Sequence, residues 1–105
     1  MNDALLLSEL RDRLQAYPED RLLAPGLILL DGLDDEQRPT LLVTNSRAEV
    51  LDLVVHPHAV EVWREEGDVV PRRVLLQSVS RSRPVECFDQ VWRHYREYFT
   101  KDLSP

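Results

Sequence analysis

Three histidines (His56, His58 and His94), one cysteine (Cys87) and three glycines (Gly26, Gly32 and Gly67) bound the chemistry open to this chain. Imidazole and thiolate are common transition-metal ligands, and His56-x-His58 would place two imidazoles on one side of an extended strand. Pro57 stands between them, however, and reads as a turn. His94 and Cys87 lie seven residues apart on one side of a helix, and would join the pair only if that side faced the turn. No metal or cofactor is therefore expected, and His56 and His58 are the residues that would supply a metal site. The simpler reading has two histidines in a turn, one helix histidine with a local partner, and a thiol packed as a small hydrophobe.

Nucleophilic and phosphate chemistry fare no better. None of Ser8, Ser46, Ser78, Ser80, Ser82 and Ser104 stands in a Gly-x-Ser-x-Gly setting, and three scattered glycines cannot build a phosphate-cradling loop. Asp34, Asp35 and Glu36 offer hard oxygen ligands in a row. Calcium loops alternate their oxygens and turn on a glycine, so this run reads as a solvated loop. No catalytic residue is assigned. Arg72, Arg73, Arg81 and Arg83 flank the last apolar run, with Ser80 and Ser82 just before a helix start. That group can grip a phosphate or an acidic partner, using free backbone N–H groups of the helix as well. The competing reading is a solvated connector whose arginines pair with nearby acids. Candidate partner-binding residues are thus Trp63, Arg72, Arg73, Arg81, Arg83, Asp34, Asp35 and Glu36.

Charge and composition narrow the partners. Thirteen basic residues against nineteen acidic ones give a net charge of −6, which opposes attraction to nucleic acid or anionic lipid. The acids concentrate in the first half of the chain. All the cations except Lys101 are arginines, whose planar forks favour interfaces, although GC-rich coding gives the same bias. A lone Cys87 forms no internal disulfide and suits a reducing compartment. The longest apolar stretch, residues 22–30, is interrupted by Pro25 and Gly26 and falls short of the roughly 20 residues a membrane helix needs. The acidic start does not resemble a secretory leader. A soluble cytoplasmic protein is the expectation.

The elements that must position these residues follow from periodicity. With 105 residues, 43% of them apolar, and no linker or repeat, residues 1–105 are expected to form a single compact domain. Asn2 or Asp3 caps a first helix reaching about Tyr17, with Leu7, Leu10, Leu14 and Tyr17 on one side and Pro18 as its stop. Residues 26–30 and 40–44 read as strands of a hairpin around the acidic loop. Residues 45–55 carry two signals. Ser46-x-x-Glu49 matches a capping box, whereas Val50-Leu51-Asp52-Leu53-Val54-Val55 is a short β-branched run ending at His56-Pro57. The strand reading is preferred, with residues 45–48 as a turn and Leu51, Leu53 and Val55 on one face. Val60, Val62 and Arg64 alternate with Glu61 and Trp63, placing Trp63 on the more polar side. Residues 65–68 make a turn, and residues 69–79 a last strand with Pro71 near its beginning. Val85, Phe88, Trp92, Tyr95 and Phe99, widened by Val91 and Leu103, mark a long amphipathic helix after Pro84. Asp89, Arg93, Glu97 and Lys101 form its charged ladder.

An apolar strand followed by a helix with Phe88-x-x-x-Trp92 resembles the closing element of phospholipase D-related sensory lobes of some bacterial regulators. The similarity is confined to the last strand and helix, and the His-x-Lys-x4-Asp signature of that superfamily is absent. The expected architecture is α+β: an N-terminal helix, an antiparallel meander of about five strands, and a long C-terminal amphipathic helix packed on the sheet. The expected function is a non-catalytic binding or regulatory domain that engages another protein, including itself as a symmetric dimer if the aromatic stripe exceeds what one sheet covers. Two alternatives stand beside it. One is a small metal- or ligand-dependent enzyme using His56 and His58. The other is an acidic inhibitor, of the immunity type, covering a basic surface with Asp31, Asp34, Asp35 and Glu36.

Overall fold

A computed structural model describes residues 2–67 and 69–101. Helix α1 spans Asp3–Gln15, β1 Ile28–Leu33, β2 Pro39–Thr44, β3 Val50–Val55, β4 Ala59–Glu66, β5 Arg72–Ser80 and α2 Pro84–Phe99. The strands pair antiparallel with their sequence neighbours, in the order β1-β2-β3-β4-β5. The helix–meander–helix architecture read from the periodicities is thus the one observed.

Asn2 caps α1, its Oδ1 accepting from the Leu5 N–H at 2.8 Å. The helix ends at Gln15 rather than Tyr17. Pro18 then opens a single 3-10 turn, Glu19–Arg21. The buried stripe of α1 is Leu6, Leu10 and Leu14, so Leu6 takes the place expected of Leu7, which packs half-buried beside it. In α2 the buried residues are Cys87, Phe88, Val91, Tyr95 and Phe99. Val85, expected on that stripe, is 71% exposed: in the first turn it lies one residue off the Phe88–Val91–Tyr95 line. Leu103 and Asp68 lie outside the described residues; Glu65 and Glu66, expected in a turn at residues 65–68, are instead the last residues of β4, paired with Arg73 and Arg72 of β5.

Both helices lie on one face of the sheet. Leu41, Val43, Leu51, Leu53, Val55, Val60, Val62 and Val79 point into the core, as alternation along a strand dictates. Residues 50–55 are strand, and their inward set is the one expected. The last strand starts at Arg72, after Pro71, because proline lacks the N–H a ladder residue donates. A bulge between Val62 and Trp63 lets β4 and β5 carry different numbers of residues. Segment 21–23 is stitched to the end of α2: the Leu23 N–H donates to the Phe99 carbonyl at 2.9 Å, and the Lys101 N–H to the Arg21 carbonyl at 2.8 Å. Among the described residues no helix is long and apolar enough to cross a membrane.

Candidate functional site

Among the described residues the opposite face of the sheet carries no helix. Register places Thr40, Leu42 and Thr44 of β2, Asp52 and Val54 of β3, Glu61, Trp63 and Glu65 of β4 and Arg73 and Leu75 of β5 on it. Ile28 and Leu30 of β1 lie opposite Thr44 and Leu42 on this face and are about half exposed, at 51% and 55%. From the β1–β2 loop and the β3–β4 turn at one end of the sheet to its centre runs one connected chain of contacts. Asp34 Oδ2 accepts from Arg38 Nε at 2.7 Å, and Arg38 Nη1 donates to His56 Nδ1 at 3.1 Å. With Nδ1 accepting, the ring hydrogen sits on Nε2 and is donated to Glu61 Oε1 at 2.7 Å. The same carboxylate oxygen accepts from Trp63 Nε1 at 3.2 Å. The Arg73 guanidinium lies 4.6 Å from the Trp63 ring centroid, a cation–π contact, and Arg73 Nη2 donates to Asp52 Oδ2 at 3.0 Å.

Each member is there for a local reason. Asp52 and Trp63 are register partners, and Glu65 pairs with Arg73, which brings Arg73 diagonally beside the indole. His56 follows β3 in the tight turn where its N–H meets the Ala59 carbonyl at 2.8 Å, so its ring leans onto Glu61. Burial pushes the Glu61 carboxyl up, but hydrogen bonds from His56 and Trp63 outweigh it and hold the group below its ordinary value. Asp52 goes the other way: burial raises its pKa despite Arg73. Asp34 is held low, first by the Arg38 backbone N–H and then by the Arg38 side chain.

The residues singled out in the sequence divide among three places. Trp63, Arg73, Asp34 and His56 meet in this network. Arg72 sits at its border, bonded to Glu66 at 3.2 Å. Arg81 and Arg83 lie at the far end of β5, roughly 25–30 Å from Arg72 at the usual rise per strand residue, so the four arginines do not form one anion grip. Arg81 ties elements together, donating to the His56 carbonyl at 2.7 Å and pairing with Asp3 at 2.7 Å. Arg83 pairs with Glu86 at 3.3 Å. His58 is exposed and lines a shallow depression with Ser80, Arg81 and Ser82. Asp35 and Glu36 remain in the exposed acidic loop, where Arg38 pairs with Glu36 at 3.4 Å.

Cys87 is buried against the other side of the sheet, and burial raises its thiol pKa. His94 bonds to Gln77. Among the described residues no three His, Cys, Asp or Glu side chains converge as a metal site would require. The partners Arg38, Glu61 and Asp52 were missed in the sequence, because their roles depend on which strands pair and in what register. The usable signal was Glu61 and Trp63 sharing a face two residues apart. No protein-family model, no curated protein and no solved structure matches the chain.

Proposed function

We propose that the chain is a non-catalytic, regulatory protein-binding module whose partner docks on the uncovered face of its sheet. The observation that carries this reading is the fixed Glu61–Trp63–Arg73–Asp52 cluster at the centre of that face, flanked by exposed Ile28 and Leu30. Tryptophan and arginine are the side chains that most often dominate binding energy at protein interfaces. Held in place before a partner arrives, they lose little conformational freedom on binding. The face mixes Arg38 and Arg73 with Asp52, Glu61 and Glu65, a pattern that suits another protein better than a polyanion.

Self-association through the aromatic stripe has less support, because Phe88, Tyr95 and Phe99 are consumed in the core. A second copy, as partner, would use the sheet face too. The acidic-inhibitor reading is weakened by Arg11 on Asp31 and Arg38 on Asp34 and Glu36, which neutralise much of that surface from within. A cytoplasmic setting fits the buried, unpaired thiol.

The test is quantitative partner capture from the native host by the tagged wild type, Trp63→Ala, Leu30→Glu and Glu9→Ala, which alters the helical side. A partner whose affinity falls roughly thirtyfold or more in the first two variants and holds in the third is the expected result. Folded Trp63→Ala and Leu30→Glu proteins that keep the partner at full affinity would refute it.

A further inference from the structure

A cleft on the outer surface of the helices lies apart from the sheet face. Most arginines of this acidic chain end on its own carboxylates, as Arg11 does on Asp31, Arg73 on Asp52 and Arg81 on Asp3. Arg13 of α1 and Arg96 of α2 have no carboxylate partner among the described residues, and both line one open surface cleft of about 360 Å³ with Asp89, Gln90, Trp92 and Arg93. Arg96 Nε is buried without an acceptor, as Arg64 Nε is elsewhere in the molecule, and a buried unpaired N–H is costly. The Arg13 guanidinium lies 4.6 Å from the Phe88 ring centroid and 6.0 Å from that of Trp92, in cation–π contact with both. Arg93, paired with Glu97 at 3.6 Å, is exposed at the rim.

We propose that this cleft binds a small organic phosphate, with Arg13 and Arg96 holding the phosphoryl oxygens. Forks arriving from two different helices address separate oxygens, and a tetrahedral phosphoryl group offers three that do not share one plane, where a carboxylate offers two in a single plane. The volume lies in the range of small-molecule sites, roughly 300–1,000 Å³, and exceeds what a bare phosphate ion fills. The organic part lies against the half-buried Trp92. Gln90, whose Oε1 already accepts from Gln77 at 2.9 Å, keeps its amide hydrogens for the ligand, and Asp89 is the acceptor for a hydroxyl or amino substituent.

The experiment titrates the full chain with phenyl phosphate and, separately, with inorganic phosphate at constant ionic strength, following the arginine Nε–H and tryptophan indole resonances. The expected result is saturable binding that moves the Arg96 and Trp92 signals, with phenyl phosphate at least about tenfold tighter than inorganic phosphate. Arg96→Gln, and Arg96→Lys, which keeps the charge and loses the fork, should each weaken it by about tenfold or more. Arg83→Gln and Trp63→Ala should leave it unchanged. Absence of saturation by the wild type at about 10 mM phenyl phosphate, equal affinity for the two probes, or an equal loss in Arg83→Gln would each overturn the proposal.

Discussion

Asp34 and Asn45 perform one task on successive loops. Asp34 Oδ1 accepts from the Glu36 and Arg38 N–H groups at 2.9 and 2.8 Å, and Asn45 Oδ1 from the Arg47 and Glu49 N–H groups at 3.0 and 3.3 Å. In each loop the fourth residue, Gln37 or Ala48, is left-handed, with φ of 65° and 59°. The side-chain acceptor replaces the ladder bonds the turning backbone gives up, and the left-handed residue brings the chain back into register. Ser46-x-x-Glu49 therefore mimics a helix start in sequence only; the carboxylate of Glu49 accepts from Asn45 Nδ2 at 3.1 Å. An L-residue in this region costs about 1–2 kcal/mol, offset in part by the entropy a glycine would lose. Ala48→Gly should stabilise the protein by up to about 1 kcal/mol, whereas Asn45→Ala should destabilise it by about 1–2 kcal/mol, both read from urea unfolding midpoints at unchanged m-value.

At the scale of elements, α2 shows what periodicity captures. Phe88, Val91, Tyr95 and Phe99 could be placed inside because a 3.6-residue repeat leaves little choice over sixteen residues, and Tyr95 even finds a buried acceptor, the Leu41 carbonyl at 3.3 Å. Cys87 packs on the same side. Its thiol is buried and its pKa raised, so the reactive thiolate is scarce in the folded protein. Aromatic disulfide reagents at neutral pH should label Cys87 slowly in the native protein and rapidly once it is unfolded in urea; equal rates would show that the helix opens easily. The strands were legible for the same reason as the helix, through alternation at Leu51, Leu53 and Val55. Their ends were not: β1 runs past Leu30 to Leu33 because pairing with β2 carries it on, which no property of Asp31-Gly32 announces. The candidate face was readable only as a location for Trp63. Arg38 meeting His56 eighteen residues away, or Arg73 meeting Asp52 twenty-one residues away, depends on register that a single strand does not encode.

For the whole molecule, the carboxylates set how stability responds to acid. Asp34, Glu61 and Glu66 are held below their ordinary values, Asp34 and Glu66 chiefly by hydrogen bonds from Arg38 and Arg72, and Glu61 by His56 and Trp63 against its burial. Their contribution is complete above the ordinary carboxylate range, near pH 4, and is lost as pH falls through the lowered values. Asp52, raised by burial, has the opposite sign: it contributes when protonated, and that contribution is lost as pH rises through its raised value. Urea unfolding from strongly acidic to neutral pH should therefore show a shallow maximum on the mildly acidic side. Asp52→Asn should flatten that maximum while keeping the steep acid limb; a variant curve superimposable on the wild type would contradict this assignment.

The stitch between segment 21–23 and the end of α2 has a kinetic consequence. Every strand pairs with its neighbour in sequence, so the sheet can assemble by zipping hairpins, each closing a short loop. The bonds from Leu23 to Phe99 and from Lys101 to Arg21 close a circuit that takes in the whole sheet and α2 and leaves α1 outside, so they gain little until the meander stands. They are expected to close last, and native-state hydrogen exchange should find the Leu23 and Lys101 N–H groups among the first of the paired amides to open.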